Sequence, residues 1–437
     1  MFNDSTATII VKNKSYNVSQ LDQLKFNHPS KEIVLILADT SLLTIQAYIS
    51  AMNSKHAVML LPSDIHPELM INVIHEYQPY WIVGLHEFEE YEFNGQLLVR
   101  TSRNTTSIND DLALLLSTSG TTGSQRFVRL SYENLKSNAL SIIQYLEIND
   151  MERAVMNLPL SYSYGMSIMN SHLLANATVL ITDERIMEKS FWTFIENQRA
   201  TSIAGVPFTY QMLHRIGITK MDLPHLKTLT QAGGRLSEKL VRYFGEWALA
   251  NDKRFFVMYG QTEASPRMSF IPFDKVVEKA GTIGIAVPGG ELFIENEELV
   301  YKGQNVMMGY AECRDDLSKG DEMGGILHTG DTAIVDEDGY FTITGRLKRF
   351  IKLFGLRINL DEIEKKLEST LQVSLACTGS DDKLIVAIEQ EESIELIKNE
   401  IEALYHLHKT AYKVKVLKIP RFANGKTDYM KLKELCL

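Results

Sequence analysis

Leu112-Ala113-Leu114-Leu115-Leu116-Ser117-Thr118-Ser119-Gly120-Thr121-Thr122-Gly123 runs from a continuous apolar stretch into residues that are all hydroxyl-bearing or glycine. An uninterrupted apolar run of this length reads as a strand buried on both faces. The small residues after it let backbone N–H groups turn toward a ligand, with Ser and Thr hydroxyls as further donors. Such a loop suits a phosphate chain. No Gly-Lys-Ser/Thr follows, so it is not a P-loop. An ordinary surface turn has the same composition, so its meaning depends on the rest of the chain.

Working outward, short apolar runs alternate with helix-compatible segments. Ile33–Leu37, Ala57–Leu61, Trp81–Val83, Thr178–Ile181, Thr201–Val206 and Phe255–Tyr259 read as strands of a layered α/β protein. Thr332–Val335 and Tyr340–Thr344 flank Asp338-Gly339 and predict a hairpin. Asp336 and Asp338 do not open an EF-hand loop, whose twelfth position would be Leu347.

Beyond Gly345-Arg346 the texture changes. A basic segment, 347–352, precedes a helix capped by Asn359 with Glu362 three residues on, expected to run to about Leu367. Strand-like 372–377 and 384–388 follow, then a helix with Ile394, Ile397, Ile401 and Leu404 on one face, then alternating Lys413–Val416. The expectation is a large multi-layer α/β N-terminal domain, 1–347, and a small α+β C-terminal domain, 348–437, joined by a hinge at Lys348.

Composition bounds the function. The chain has 437 residues, 45% hydrophobic and 23% charged, as soluble globular proteins do. A net charge of -10 argues against a nucleic-acid binder. It also requires any polyphosphate site to make its own positive field. No apolar run reaches the roughly 20 residues of a membrane helix. Met1–Thr6 lacks the basic start and apolar core of a secretory signal, and Cys313, Cys377 and Cys436 form no CxxC pair. A reducing cytoplasm is the expected location.

Four further clusters carry chemistry. Tyr259-Gly260-Gln261-Thr262-Glu263 follows a strand and sets a carboxylate beside a hydroxyl, which suits an oxygen-ligated Mg²⁺. His328-Thr329-Gly330-Asp331 places a carboxylate after a glycine turn, Gly345-Arg346 supplies a cation, and Asn424-Gly425-Lys426 puts a lysine on a turn near the C-terminus. Singly, each is also what a solvated strand end, an Asx turn or a surface cation looks like.

Together, and in this order, they resemble the adenylate-forming superfamily of acyl-CoA synthetases, luciferases and adenylation domains of nonribosomal peptide synthetases. The likeness rests on Leu116–Gly123, Leu130–Leu135, Val206-Pro207, Ala232-Gly233-Gly234-Arg235-Leu236 and Tyr259–Glu263. Gly303–Tyr310, His328–Asp331, Gly345-Arg346 to Glu364, and Asn424–Lys426 complete it. It covers nearly the whole chain.

The resemblance implies a two-step reaction. A small carboxylic acid attacks the α-phosphate of ATP, and a thiol of CoA or of a carrier-protein phosphopantetheine then displaces AMP. It implies that Thr118 to Gly123 clasp the β- and γ-phosphates with Arg126. Gly233, Gly234, Arg235 and Tyr259 would border the adenine, with Gly260 and Gln261 alongside. Thr262 and Glu263 would hold the α-phosphate and Mg²⁺, Asp331 the ribose hydroxyls with Arg346 nearby, and Lys426 would bridge carboxylate and phosphate. Lys348 would be the pivot that carries Lys426 away before the thiol enters.

Tyr162, Gly165 and Val206 are the expected acyl pocket. The chain departs from the pattern at Ser124-Gln125-Arg126-Phe127, where the family has Pro-Lys-Gly after the first position, so the pyrophosphate contact is expected in altered form. Tyr162 stands where histidine is common. Amino-acid-activating relatives place Asp near Gly165, so glycine there favours a non-amino acid. Lys352–Glu364 looks closer to enzymes that load carrier proteins. Transfer to an amine, oxidation, activation of an amino acid, and a catalytically inactive homologue remain as alternatives. His406 and His408 diverge on a helix end and make no metal pair. The Met- and Tyr-rich stretch Met156–Met169 is core packing first and acyl lining second.

Overall fold

The computed structural model describes residues 1–21, 24–102, 106–117, 126–347, 349–353, 356–380, 383–405, 410–422 and 425–436. The expected phosphate-clasping residues Thr118 to Gly123, the expected pivot Lys348, and His406 and His408 lie outside these. The chain divides into two compact units, Met1–Leu292 with Tyr301–Leu327, and Phe293–Val300 with His328–Leu437.

In the first unit the apolar runs become the parallel strands of two sheets. One has eight strands, in the order Gly309–Ala311, Phe127–Ser131, Leu112–Ser117, Ala57–Pro62, Ile33–Ala38, Trp81–Val83, Leu98–Arg100 and Tyr91–Phe93. The opening stretch pairs antiparallel with Phe127–Ser131, Ser117 opposite Phe127, so 118–126 links neighbouring strands. Ile33–Leu37 and Ala57–Leu61 are almost wholly excluded from solvent, which is why they read as unbroken apolar runs.

The other sheet has nine strands. Ile285–Ala286, Arg267–Ile271, Arg254–Gly260, Thr228–Gln231 and Ser202–Gly205 lie to one side, followed by Arg153–Met156, Thr178–Ile181, Thr8–Val11 and Lys14–Asn17. Its six inner strands, from Arg254–Gly260 to Thr8–Val11, are parallel. Ligand sites in such sheets gather at the carboxyl ends of the strands. Here those ends are the expected site segments Val206, Ala232–Gly234 and Tyr259–Glu263.

The second unit carries most of a four-stranded sheet ordered Gly290–Glu295, Glu298–Gly303, Ile326–Val335, Phe341–Arg346. The hairpin forms with Val335 opposite Phe341, and Asp336 accepts the N–H groups of Asp338 and Tyr340 at 3.0 and 2.8 Å. Asp336 is thus a turn residue, as its spacing implied.

Past it, Leu360–Leu371 is the expected helix, one turn longer than the capping pattern suggested. It stops where Gln372 adopts a left-handed φ of 56°. The strands follow at Leu375–Ser380, Lys383–Ile388 and Tyr412–Val416, with helices Ile394–Tyr405 and Tyr429–Cys436. Ile363, Leu367, Cys377, Val386, Ile397 and Ile401 pack as one core. Leu432 and Cys436 cover the other face of that sheet.

Candidate functional site

The carboxylate of Glu263 stands on a backbone locked by neighbours. Gly260 ends its strand where a Cβ would fall 1.8 Å from the Pro266 carbonyl oxygen, so only glycine fits. Thr262–Ala264 then makes one 3-10 turn. Buried Asn305 donates to the carbonyls of Ala264 (2.7 Å) and Arg267 (2.9 Å) and accepts from the Tyr301 hydroxyl. Asn138 donates to the same Arg267 carbonyl, and Met307 N–H donates to Glu263 O at 2.8 Å. Asn305 and Asn138 were not singled out in the sequence. Only the motif Gly303–Tyr310, quoted without roles, contains a signal for the first.

Two expected residues, Arg126 and Thr262, gather near Glu263 together with Tyr310, which had no assigned role. Tyr310 donates its hydroxyl to Glu263 Oε1 at 3.0 Å, and the Arg126 guanidinium lies 3.6 Å above the Tyr310 ring. Burial, then the Glu263 charge, pushes the Tyr310 hydroxyl well above the ordinary tyrosine range, so it stays a proton donor. Thr262 Oγ1 lies 3.1 Å from Ser163 Oγ. Among the described residues no group of three or more His, Cys, Asp or Glu could enclose a metal. One carboxylate with a neighbouring hydroxyl fits Mg²⁺, which takes few protein ligands and fills its shell with phosphate oxygens and water.

Of the expected adenine and acyl residues, Gly233, Tyr162 and Val206 meet. Gly233 has φ +82°, and a Cβ there would stand 2.3 Å from the Tyr162 hydroxyl and 3.2 Å from Val206 Cγ1. Gln231 holds this turn by donating to the Gly234 carbonyl at 2.9 Å. Gln261 donates to the Tyr259 hydroxyl at 3.2 Å. Arg235 is half exposed, at 4.0 Å from Glu238. Burial raises the Tyr162 hydroxyl to about 12.

Gly165 requires a correction. A Cβ there would lie 2.2 Å from the Pro159 carbonyl oxygen and 2.8 Å from that of Leu158. Backbone packing alone dictates glycine, so its lack of a carboxylate carries no information about the acid. The helix that contains it, Ser163–Leu174, is buried along nearly its whole length.

In the second unit Asp331 and Arg346 are register partners on adjacent strands, with Arg346 Nε 3.0 Å from Asp331 Oδ1. Asp331 is 3% exposed, whereas the arginine side chain is 62% exposed. Glu298 shapes the turn before Asp331: it accepts from Gly330 N–H at 2.7 Å, with His328 Nδ1 at 3.1 Å. Sequence reading missed Glu298, because nothing local links it to residue 330.

Lys426 is exposed on a turn closed by Phe422 N–H to Lys426 O (2.8 Å). Asp428 caps the final helix by accepting from Lys431 N–H at 3.0 Å. Tyr429 anchors that helix: its hydroxyl donates to Glu364 at 2.8 Å and the Arg349 guanidinium lies 3.5 Å over its ring. Arg349 also pairs with Glu364 at 2.9 Å and with Asp361. The turn of Lys426 is therefore tied, through Tyr429, to the residue following position 348.

A family model described as AMP-binding enzyme matches residues 1–311, and the chain belongs to that family. Among curated relatives, a feruloyl-CoA synthase of an Amycolatopsis species is 31% identical over 270 residues, 59% of this chain and 54% of the relative. A 2-succinylbenzoate–CoA ligase of Staphylococcus aureus is 29% identical over 347 residues, 75% of this chain and 68% of the relative. The match spans about half the length of the first relatives. Of solved structures, the o-succinylbenzoate coenzyme A synthetase of Bacillus subtilis in complex with AMP superposes with TM-score 0.79 at 20% identity, covering 98% of this chain and 95% of that one. ATP-bound MatB of Rhodopseudomonas palustris gives 0.77 at 19%, covering 99% and 96%. These share the fold.

Proposed function

We propose that the chain is an ATP-dependent, AMP-forming carboxylate ligase that joins a small carboxylic acid to a thiol through an acyl-adenylate. The observation that carries this reading is the assembly of Glu263, Tyr310 and Arg126 beside Thr262. It supplies fixed donors and one cation where an anionic polyphosphate would lie, on a backbone that need not reorganise. Bound Mg²⁺ would be held by Glu263 and would neutralise phosphate charge. Arg126 would contact the pyrophosphate in place of the family's lysine. Thr118 to Gly123 would wrap the β- and γ-phosphates. Tyr162, Val206 and Gly233 would wall the acid and adenine, with Gly234, Arg235, Tyr259, Gly260 and Gln261 beside them.

Asp331 would accept from the ribose hydroxyls, held by Arg346. Lys426, a long point charge on an exposed turn, would bridge the attacking carboxylate and the α-phosphate. Movement about Lys348 would then withdraw it, with 348–437 travelling as one body. CoA is the first acceptor to test, since the named relatives are CoA ligases. A carrier-protein thiol is the second reading, favoured by the sequence of Lys352–Glu364. A cytoplasmic location is supported by three unpaired thiols and by the lack, among the described residues, of a helix long and apolar enough to cross a membrane.

The test is pyrophosphate release over a panel of acids, with CoA and a phosphopantetheinylated carrier protein in parallel. Acid-dependent release with thioester formation supports the proposal. Release without thioester indicates another second step, such as transfer to an amine. No release with any acid indicates an inactive homologue.

A further inference from the structure

Arg267 is 2% exposed and has no carboxylate partner among the described residues. Its strand runs antiparallel to Arg254–Gly260, and Arg267 faces Gly260 in that register, at the site end of the sheet. One terminal nitrogen reaches the Tyr145 hydroxyl (3.3 Å) and Met258 Sδ, and the other reaches Ser167 Oγ at 3.1 Å. The guanidinium stacks 4.2 Å from the Tyr164 ring, and its Nε has no hydrogen-bond partner. Every one of these neighbours is neutral. A guanidinium taken out of water without a counter-charge costs several kcal/mol.

Beside it lies a cavity of about 30 Å³ between the helices Tyr132–Leu146 and Ser163–Leu174 and the nine-stranded sheet. That is room for one or two water-sized groups. The small residues Ala154, Ala204 and Thr230 line it, as do Arg267, His172 and Glu152. Glu152 does not balance the arginine directly. It directly precedes the inner strand Arg153–Met156, at that strand's amino end, and accepts from Thr201 Oγ1. Both Glu152 and Arg267 line the cavity, but the guanidinium, held at the level of Met258, forms no ion pair with the Glu152 carboxylate. His172 spends its Nδ1 on the Ile168 carbonyl at 2.9 Å, and burial holds it neutral.

We propose that Arg267 and this cavity form a binding site for a single desolvated negative charge of carboxylate or halide size. Two sources share that chemistry: a free halide ion, or a second carboxylate at the far end of the acid substrate. The substrate source rests on the proposed ligase function and the halide source does not. The rings of Tyr162 and Tyr164, 6.3 Å apart, stand between Gly233 and the guanidinium. A distal carboxylate therefore reaches Arg267 only if Tyr164 swings, whereas a halide needs no such movement. With no halide bound, the positive charge disfavours an acid that carries an ammonium group.

The experiment has two arms on the full chain, wild type and Arg267→Met. In the first, melting is followed as sodium bromide or chloride replaces gluconate at constant ionic strength, and bromide is located by anomalous scattering in soaked crystals. In the second, AMP formation is compared for butanoate against succinate, hexanoate against adipate, and benzoate against phthalate.

Bromide density at Arg267, with a halide-dependent rise in Tm of a few degrees that Arg267→Met loses, supports a free anion. A preference on the order of tenfold for the diacid, lost in Arg267→Met, supports the substrate carboxylate. If Arg267→Met fails to fold, bromide density and the acid preference of the wild type still decide. No bromide density, no halide effect and no diacid preference overturn the proposal. Turnover of no acid at all defeats the ligase reading and leaves the halide arm to decide this one.

Discussion

Glu263 and Lys426, the two charges on which the proposed chemistry turns, sit on opposite kinds of support. Glu263 stands on a segment held by the buried amides of Asn305 and Asn138, with Gly260 pressed against the Pro266 carbonyl and Tyr310 bonded to its carboxylate. Lys426 is exposed on a surface turn, followed by a helix that Tyr429 anchors to Glu364 and Arg349. The difference teaches how the labour divides. A metal and phosphate site gains from donors fixed before the substrate arrives. A cation needed for one half-reaction only gains from a support that can be withdrawn.

The sharpest way to break this comparison is Lys426→Ala. Adenylation should fall by roughly a hundred- to a thousandfold, while thioester formation from pre-made acyl-adenylate stays largely intact. Equal loss in both half-reactions would remove the contrast. Lys348→Pro should do the reverse: adenylation is spared and transfer drops by roughly tenfold or more, measured by single-turnover quench. An unaffected transfer step refutes the hinge.

Within the fixed region, Gly233→Ala should raise the KM for ATP or acid by roughly tenfold. It forces a Cβ against the Tyr162 hydroxyl, at a left-handed φ that costs about 1–2 kcal/mol. Adding Tyr162→Phe should recover part of the loss, since the obstructing atom is the hydroxyl oxygen; no recovery would argue against that contact. Tyr310→Phe keeps a ring beneath Arg126 but removes the bond to Glu263. Adenylation should fall roughly tenfold with a higher Mg²⁺ requirement, read from metal titrations.

The smallest expected effect is Tyr429→Phe, a few-fold loss of adenylation kcat with the KM for ATP unchanged. A change in KM alone, or a loss that matches the loss of thermal stability, would make Tyr429 merely structural.

Much of this was legible in the chain because it is local. Strands such as Ile33–Leu37 announce themselves by unbroken apolar sequence, and the phosphate, metal and lysine motifs are short runs of characteristic residue types. The resemblance set Arg346 near Asp331, and hairpin register made them an ion pair. What stayed hidden depends on long-range contacts. Asn305 acts on residues some 40 positions earlier in the sequence, Glu298 on Gly330, and Tyr310 on Glu263. Arg267 looks like an ordinary strand cation until its burial is seen. Gly165 misled for the same reason: its identity answers to the carbonyls of residues 158 and 159.

The most direct test of the account is to supply the acid with heavy-oxygen-labelled carboxylate and analyse the products by mass spectrometry after one turnover with ATP. Attack of the carboxylate on the α-phosphate, followed by release of the acyl group, leaves one labelled oxygen in AMP and none in pyrophosphate. Label in inorganic phosphate with ADP, or AMP formed without label, would contradict the acyl-adenylate on which the assigned roles of Glu263 and Lys426 depend.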